Sequence, residues 1–464
     1  MSTFSGINIA ARALGAAQRG MEVTGQNIAN VNTEGYSRQR VEQSASVLNQ
    51  TGTFTQKYVP GDGVVVNGLT RVSDTLATAT ARQDSASAQE QSTAATTWAG
   101  IENALGDVGA SGLSQNLSEL SSAWNDLASK GGSTGLAGAQ SLVITRSETV
   151  ATQIVGMNSQ LEDQYDQLGL QAQTLTTQAN TIATNVARLN TSIRETQSSG
   201  ASANELMDQR DQYLNQLADV TGSRVVTRDN GTVDVLVGNA TIVSGDFSYE
   251  LKVTATNADG TAAGKADIGN QLLASIGGQS AGPVTGSLKA TLDGANKTLV
   301  DQQKNLDAFA TTLTSSVNKN YDGQFFTSVQ PGWTPGTSFD SPVKASQLAV
   351  AVTSTTFRDS TTATGDKSSD RSYANQVSAA FGDVKSTWAA NVTSLAASTQ
   401  SASNRAELSS QVSLNSGAVR DGFSGVNLDE EMTNLVSYQH AYAAAAKVLT
   451  AMDDALATLL NMVR

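Results

Sequence analysis

The sequence predicts a mainly α-helical protein with an inserted β domain. Apolar residues recur at alternating three- and four-residue spacings at both ends of the chain and through much of its middle, which is the period of packed helices. One interior segment instead alternates β-branched and polar residues around Asp229–Gly231, which is a hairpin signal. Aromatic residues make up only 5% of the chain, so we expect narrow cores built from small side chains.

The first thirty residues carry a heptad seam and predict a helix that needs a partner. Gly15, Gly20 and Gly25 each cost about 1 kcal/mol relative to Ala inside a helix, so we expect this helix to be poorly formed alone. The members of the seam are Phe4, Ile7, Ala11, Leu14, Gln18, Met21, Gly25 and Ile28.

A second helix is predicted at the C-terminal end. Asn427 can cap its start, and Glu430 has the spacing of a capping box. Two adjacent heptad seams run along it, which together are wider than one partner helix covers. The first seam is Leu428, Met432, Leu435, Gln439, Tyr442, Ala446, Leu449, Asp453, Leu456, Leu460 and Val463. The second seam is Tyr438, Tyr442, Ala445, Leu449, Met452, Leu456, Leu459 and Val463.

Charge favours pairing of the two ends. Residues 1–45 hold four Arg against three Glu, a net +1, whereas residues 428–464 hold two basic against five acidic residues, a net −3. If the two ends of the chain pair, everything between them is an insertion, and each inner domain is inserted within an outer one. We therefore predict a terminal coiled coil, a helical bundle and a β-rich outer domain. Their residues are 1–45 plus 424–464, 46–221 plus 289–423, and 222–288, respectively.

The interior is predicted as follows. A long helix spans about 143–193, with possible breaks at Gly156 and Gly169. Residues 322–372 are rich in Gly, Pro, Ser and Thr and predict a loop-rich excursion with one short strand at 348–352. Further helices are predicted at 74–105, 114–130, 203–220, 289–319 and 373–420, and strands at 224–227, 233–237, 241–243 and 249–253.

Composition excludes several classes of function. The 29 basic and 42 acidic residues give a net charge of −13, which disfavours binding to nucleic acid or to an anionic membrane surface. No apolar run approaches 18 residues, so no membrane insertion is predicted, and no secretory signal is recognisable. With no Cys and a single His, disulfides and most zinc sites are excluded, and we predict no metal or cofactor.

Two short motifs resemble catalytic signatures only formally. Gly278–Gly282 matches G-x-S-x-G, but Pro283 breaks any helix that should follow the serine, and the only candidate base is His440. Gly260–Ala266 is one residue short of a phosphate-binding loop. We therefore predict no catalytic site, and an enzyme acting through Ser280 or His440 is the weakest alternative.

Motifs at both ends resemble one known family. Ala29–Arg38 reads ANVNTEGYSR and is similar to the N-terminal signature of bacterial flagellar rod, hook and hook-associated axial proteins. Ser424–Met432, followed by Leu435–Tyr442, resembles the C-terminal counterpart. Leu206–Leu214, Gly61–Arg71 and Gly286–Asp293 resemble the interior of the hook-associated members.

This resemblance implies a non-enzymatic structural subunit that forms a ring at the junction between hook and filament by polymerising through its terminal helices. The implied partners are the hook protein, hook-associated protein 3, further copies of the chain and a cytosolic export chaperone at the C-terminal helix. The implied location is the flagellum outside the cell, after type III export from the cytoplasm. The predicted interface is Phe4, Ile7, Leu14, Met21, Ile28, Asn30, Thr33, Gly35, Tyr36, Leu428, Met432, Leu435, Tyr442, Leu449, Met452, Leu456, Leu460 and Val463.

Two alternatives to the junction interpretation stay open at this point. The first is another axial protein, such as a rod or hook subunit. The second is a coiled-coil adhesin whose outer β domain binds a host or matrix. An exposed aromatic groove would support the adhesin, and the 222–288 segment offers only Phe247 and Tyr249 for it.

Overall fold

The computed structural model describes residues 3–46, 63–106, 112–130, 135–257, 268–282, 284–328, 342–354, 356–357 and 372–462. The α-helices in these residues are α1 (Thr3–Ala29), α2 (Thr75–Leu105), α3 (Leu113–Ser129), α4 (Leu136–Ser198), α5 (Asn204–Thr221), α6 (Gly286–Asp293), α7 (Leu299–Tyr321), α8 (Ser372–Ser424) and α9 (Leu428–Met462). A π-helical turn, Gly294–Thr298, joins α6 to α7. The strands are β1 (Gln39–Ala45), β2 (Val64–Arg71), β3 (Arg224–Thr227), β4 (Val233–Val237), β5 (Ala240–Ser244), β6 (Phe247–Ser248), β7 (Leu251–Thr256), β8 (Gln271–Ile276), β9 (Gln279–Ser280), β10 (Phe326–Ser328) and β11 (Leu348–Val350).

The predicted mainly α fold with paired terminal helices is confirmed. The eight predicted helices are all present with shifted ends, except that the one predicted at 289–319 is divided into α6 and α7 by the π-helical turn. Helix α4 runs through Gly156 and Gly169 without a break. The sequence reasoning missed the antiparallel β1–β2 hairpin, which pairs Gln39 with Arg71 and Ala45 with Val64. Residues 39–45 are mostly polar, so no alternation of apolar residues marked them as a strand.

The Asn-Gly hairpin is confirmed between β3 and β4. The side-chain oxygen of Asn230 accepts hydrogen bonds from the backbone N–H and the hydroxyl of Thr232, at 3.1 and 2.7 Å. Gly231 has a φ of +77°, a conformation that a residue with a side chain adopts only with strain. The antiparallel strands of this sheet follow the order β3-β4-β5-β6, whereas β7, β8 and β9 form a separate sheet.

The chain divides into two compact units. The first unit consists of Met1–Ser87, Ala179–Glu250 and Ser410–Arg464, and the second of Ala88–Gln178 and Leu251–Ser409. The sheet β3–β6 belongs to the first unit and the sheet β7–β9 to the second. The segment 222–288, predicted as one β domain, is therefore shared between the units, because β6 does not pair with β7.

In the second unit, an aromatic cluster fills the core beside α3. Trp124 lies edge-on to Phe325, with ring centroids 5.0 Å apart, and also contacts Tyr321 and Phe357. The turn that follows α7 is fixed by Asn318, whose side-chain oxygen accepts from the backbone N–H groups of Phe325 and Phe326 at 3.0 and 2.8 Å. Part of the predicted loop-rich excursion is thus ordered around β10 and β11, while residues 329–341 and 358–371 lie outside the described residues.

In the first unit, a buried polar contact holds the sheet β3–β6 against two helices. Arg210 on α5 donates to the side-chain oxygen of Asn190 on α4 at 3.0 Å and to the carbonyl of Gly231 at 2.7 Å. The amide of Asn190 in turn bonds the carbonyls of Val233 and Gly245. Because these backbone groups are buried, the side chains satisfy hydrogen bonds that water does not reach.

Candidate assembly interface

The terminal helices α1 and α9 pack antiparallel in a regular register. A Cβ added to Gly20 would lie 2.5 Å from the ring of Tyr438, and one added to Gly6 would lie 2.8 Å from the terminal methyl of Met452. Further along, Asn27 hydrogen-bonds Glu431 at 3.0 Å. On each helix, the first two of these contacts are 14 residues apart, which is two heptads. The hydrogen bond of Asn27 lies one heptad, or 7 residues, beyond the contact of Gly20. The contact therefore repeats with the coiled-coil period.

The face of α1 that meets α9 within the chain is a seam of small residues, and it differs from the predicted seam. Its members alternate four and three apart and are buried, apart from the half-buried Ala13: Gly6, Ala10, Ala13, Ala17, Gly20, Thr24 and Asn27. The predicted seam lies one position further along, and its members Ile7, Leu14, Met21 and Ile28 are half-buried, whereas Ala11, Gln18 and Gly25 are exposed. Small residues let the two backbones approach closely. The face of α1 that is buried against α9 therefore lacks the large apolar side chains of the predicted seam.

On α9, the second predicted seam faces α1. Tyr438 and Met452 contact Gly20 and Gly6, and Ala445, one heptad from each, is buried. From the predicted interface, Leu435, Leu449, Met452 and Leu456 are half-buried, whereas Leu428, Met432 and Tyr442 are exposed. Val463 and the side chains of Phe4 and Leu460 lie outside the described residues.

The start of α9 is fixed by two different contacts. The side-chain oxygen of Asn427 accepts from the backbone N–H groups of Asp429 and Glu430 at 3.0 and 3.4 Å, so the predicted cap is present. The predicted capping-box role of Glu430 is not observed, because its carboxylate accepts from the Arg38 guanidinium at 2.6 Å. The backbone N–H of Arg38 also donates to the carbonyl of Ser424 at 2.8 Å. The signature loop 30–38 is thereby tied to the α8–α9 junction.

Several predicted interface residues in the signature loop make contacts with other residues of the same chain. Asn30 donates to the carbonyl of Gln26 at 2.9 Å, and the Thr33 hydroxyl donates to Asn30 at 3.1 Å. Gly35 has a φ of +76°, and a Cβ at this position would collide with the side chain of Gln212. These residues shape the loop, and they do not form an apolar patch on its surface.

A buried polar network, formed by Asn27, Tyr36, Gln39 and Glu431, connects the signature loop to both terminal helices. The Asn27 amide donates to the carbonyl of Gln39 at 2.9 Å and to Glu431. Its oxygen accepts from the Tyr36 hydroxyl at 2.8 Å and from the backbone N–H of Gln39 at 3.0 Å. All the hydrogen-bonding capacity of Asn27 is thus used. The Arg38 guanidinium lies 3.3 Å from the second oxygen of Glu431.

The environment keeps the Tyr36 hydroxyl protonated. Burial is the main cause, and nearby carboxylates add to it, so that the pKa of Tyr36 is raised to about 12. In order of effect, the carboxylates belong to Asp208, Glu205 and Glu431. At neutral pH Tyr36 is therefore a hydrogen-bond donor to Asn27, as the network requires.

The interior motif Leu206–Leu214 supports the same loop from α5. Arg71 at the end of β2 lies 3.0 Å from the Asp208 carboxylate and 2.6 Å from that of Asp211. Asp208 also accepts from the backbone N–H of Ser37 at 3.2 Å. Burial raises the pKa of Asp208, and the charge of Arg71 opposes that rise. Arg71, Asp208, Asp211, Asn27, Gln39 and Glu431 were all missed as site residues from sequence.

A polar cavity of about 980 Å³ lies between the loop, α5 and the α8–α9 junction. Its walls carry both signs of charge, including Arg71, Arg420, Asp211 and Asp421. In the described part of the chain, no group of three or more His, Asp or Glu side chains could hold a metal ion. The same residues contain no helix that is both long and apolar enough to cross a membrane.

The residues of the formal catalytic motifs lie in ordinary structural positions. Ser280 is exposed in the two-residue strand β9, after a Gly277–Gly278 turn, so the strand–turn–helix context of a nucleophile elbow is missing. His440 is exposed on α9. Phe247 and Tyr249, the aromatic residues considered for the adhesin alternative, are both exposed. The second motif, at 260–266, lies outside the described residues.

Comparison with known proteins decides between the hook-associated family and a rod or hook subunit. A family model described as the flagellar hook-associated protein FlgK helical domain matches residues 98–332, just over half of the chain. The chain belongs to the FlgK family of flagellar hook-associated proteins. It is a structural component of the flagellum, and a rod or hook subunit is set aside because the interior match is specific to FlgK. Models of the flagellar basal body rod proteins match the ends, at residues 7–36 and 421–462.

Curated FlgK-family relatives match along the chain. The flagellar hook-associated protein 1 of Bacillus subtilis is 26% identical, covering 99% of this chain and 98% of the relative. That of Salmonella typhimurium is 28% identical over 68% of this chain and 57% of the relative. A solved structure, the flagellar hook junction protein FlgK from Burkholderia pseudomallei, aligns with a TM-score of 0.43 and 23% identity over 54% of this chain and 46% of that one. The terminal matches coincide with α1 and its loop and with α9.

Proposed function

We propose that this chain is a subunit of the junction between hook and filament, and that it polymerises through the apolar faces that the α1–α9 pair leaves uncovered. The observation that carries the proposal is the first seam of α9. Met432 is 51% exposed and Leu428 46% exposed, although α9 is paired with α1 along its length. Apolar residues exposed in a regular row mark an interaction surface.

The uncovered surface extends beyond these two residues. Val436 lies one helical turn after Met432 and is 46% exposed, and Phe423 at the end of α8 is 53% exposed. Fully burying an apolar side chain of this size contributes about 1.5–3 kcal/mol relative to leaving it in water, and these half-exposed residues would each contribute part of that. The half-buried Ile7, Leu14, Met21 and Ile28 of α1 offer further apolar area.

The contact is proposed to be heterologous, in which one face of a copy meets a different face of the next. Contacts of this kind generate rings or helical tubes and need no closed pair. The resemblance supports further copies of the chain, the hook protein and hook-associated protein 3 as neighbours in the flagellum. It also supports type III export, with a cytosolic chaperone holding the C-terminal helix before assembly.

The test is complementation of motility by a variant in which two exposed apolar residues near the start of α9 are made polar. Met432→Ser combined with Val436→Ser changes two side chains that are 51% and 46% exposed, so the purified variant should keep its helical circular dichroism. We expect motility to be lost. The matched control, Thr433→Ser with Thr450→Ser, changes two exposed hydroxyl residues on the same helix and should restore motility. Normal motility of the Met432→Ser, Val436→Ser variant would contradict the proposal.

A further inference from the structure

The apolar contacts between α1 and α9 do not by themselves select one register. On α9, Tyr438, Ala445, Met452 and Leu459 repeat every seven residues. The facing residues of α1 repeat with the same period and are small: Gly6, Ala13 and Gly20. If α9 slipped by one heptad, Leu459 would face Gly6 and Met452 would face Ala13, and apolar residues would still meet small ones. A repeating seam leaves this ambiguity open.

We propose that Asn27 and Glu431 form a register key, which selects the observed alignment of α9 on α1. Glu431 is only 2% exposed, and its carboxylate is compensated by the Asn27 amide at 3.0 Å and the Arg38 guanidinium at 3.3 Å. In the slipped register, Tyr438 would face Asn27, and Glu431 would lose its amide donor. A buried charge without its partners is costly, so the slipped register is disfavoured although its apolar contacts are intact.

The key also fixes where the start of α9 lies relative to the signature loop. In the observed register the start of α9 lies against the signature loop, where Arg38 bonds both Glu430 and Glu431. The inference stands on the helix pairing seen in the structure and does not require the proposed polymerisation.

Cysteine cross-linking of the full chain measures the register directly, because the native sequence contains no cysteine. Ala13 lies one heptad from Gly6, and Ala445 one heptad from Met452, so Ala13→Cys with Ala445→Cys reports the observed register. Ala13→Cys with Met452→Cys reports the slipped one. Both pairs are oxidised in dilute monomer and quantified by mass spectrometry. With the key intact, we expect the first pair to form at least about tenfold more disulfide than the second.

The key is then removed by Asn27→Leu with Glu431→Leu. We expect the disulfide yield of the first pair divided by that of the second to fall at least about fivefold, because the remaining apolar contacts then favour both registers. The control Glu430→Leu removes an exposed ion pair with Arg38, which contributes little in water, and should change the ratio by less than about twofold. If circular dichroism shows that the double variant loses helix, Glu431→Gln replaces it, with an expected fall of at least about twofold. An unchanged ratio in a folded key variant, or an equal change in the control, would overturn the proposal.

Motility plays no part in this readout, so failure of the proposed function would leave the result intact.

Discussion

Replacing glycine by alanine should stabilise α1 at an exposed position and should not stabilise it at a position packed against α9. Gly25 is exposed, and a Cβ added there would meet no heavy atom within 4 Å, so Gly25→Ala should stabilise the helix by about 1 kcal/mol. Gly20→Ala would bring the same gain in helix propensity, but the added Cβ would lie 2.5 Å from the ring of Tyr438. Overpacking of this kind costs about 1–3 kcal/mol, so Gly20→Ala should be neutral or destabilising by up to about 2 kcal/mol.

Hydrogen exchange followed by mass spectrometry resolves this difference within the first unit. Peptides around Tyr438 in α9 report the opening of the α1–α9 pair, and each 1.4 kcal/mol corresponds to about a tenfold change in the opening equilibrium. We expect Gly25→Ala to slow exchange and Gly20→Ala to leave it unchanged or accelerate it. Gly15, where an added Cβ would also have no neighbour within 4 Å, gives a second control that should behave like Gly25. Equal protection from Gly20→Ala and Gly25→Ala would refute the close packing of Gly20 against Tyr438.

Three further predictions concern the signature loop. Gly35→Ala should destabilise the first unit by about 1–3 kcal/mol, because φ is +76° and Gln212 fills the space, and loop peptides should exchange faster. Arg71→Met should cost about 3–5 kcal/mol in thermal unfolding by leaving Asp208 buried without its cation, and adding Asp208→Asn should recover at least about half of the loss. Because the folded pKa of Tyr36 is raised to about 12, stability should fall as the pH rises from about 10 to 12, by roughly 1–2 kcal/mol, and Tyr36→Phe should lack this component in urea unfolding at each pH.

Elements with a strong local period could be predicted from the sequence. Helices such as α4 repeat their apolar residues over many turns, and the Asn230–Gly231 turn carries its own conformational signal. The face of α1 that packs against α9 lies one position away from the predicted seam, whose role between subunits stays a prediction. A search for large apolar residues selects Ile7 and Leu14, whereas close packing of α9 against α1 selects glycine and alanine. Size complementarity between two helices is a property of the pair, and neither sequence shows it alone.

The polar network around Asn27 shows a different limit. Asn27 and Tyr36 are neighbours in sequence, but Asp208 comes from α5 and Glu431 from α9, hundreds of residues away. No spacing rule connects such positions, so only their convergence in space reveals them. The resemblance to a family signature did mark Ala29–Arg38 as important. The structure explains why: these residues join the hairpin, α5 and the start of α9 in one place.

The most direct test of polymerisation through the uncovered seam is cross-linking between copies in assembled flagella. Met432→Cys places a thiol on the exposed first seam, and Tyr438→Cys places one on the seam that faces α1. The chain supplies no second thiol, so the reagent carries a maleimide at one end and a photoreactive benzophenone at the other. Attached to the thiol and illuminated in isolated flagella, it should join the Met432→Cys chain to neighbouring subunits and leave the Tyr438→Cys chain unlinked to them. Intermolecular products from the Tyr438→Cys chain but none from the Met432→Cys chain would contradict the account.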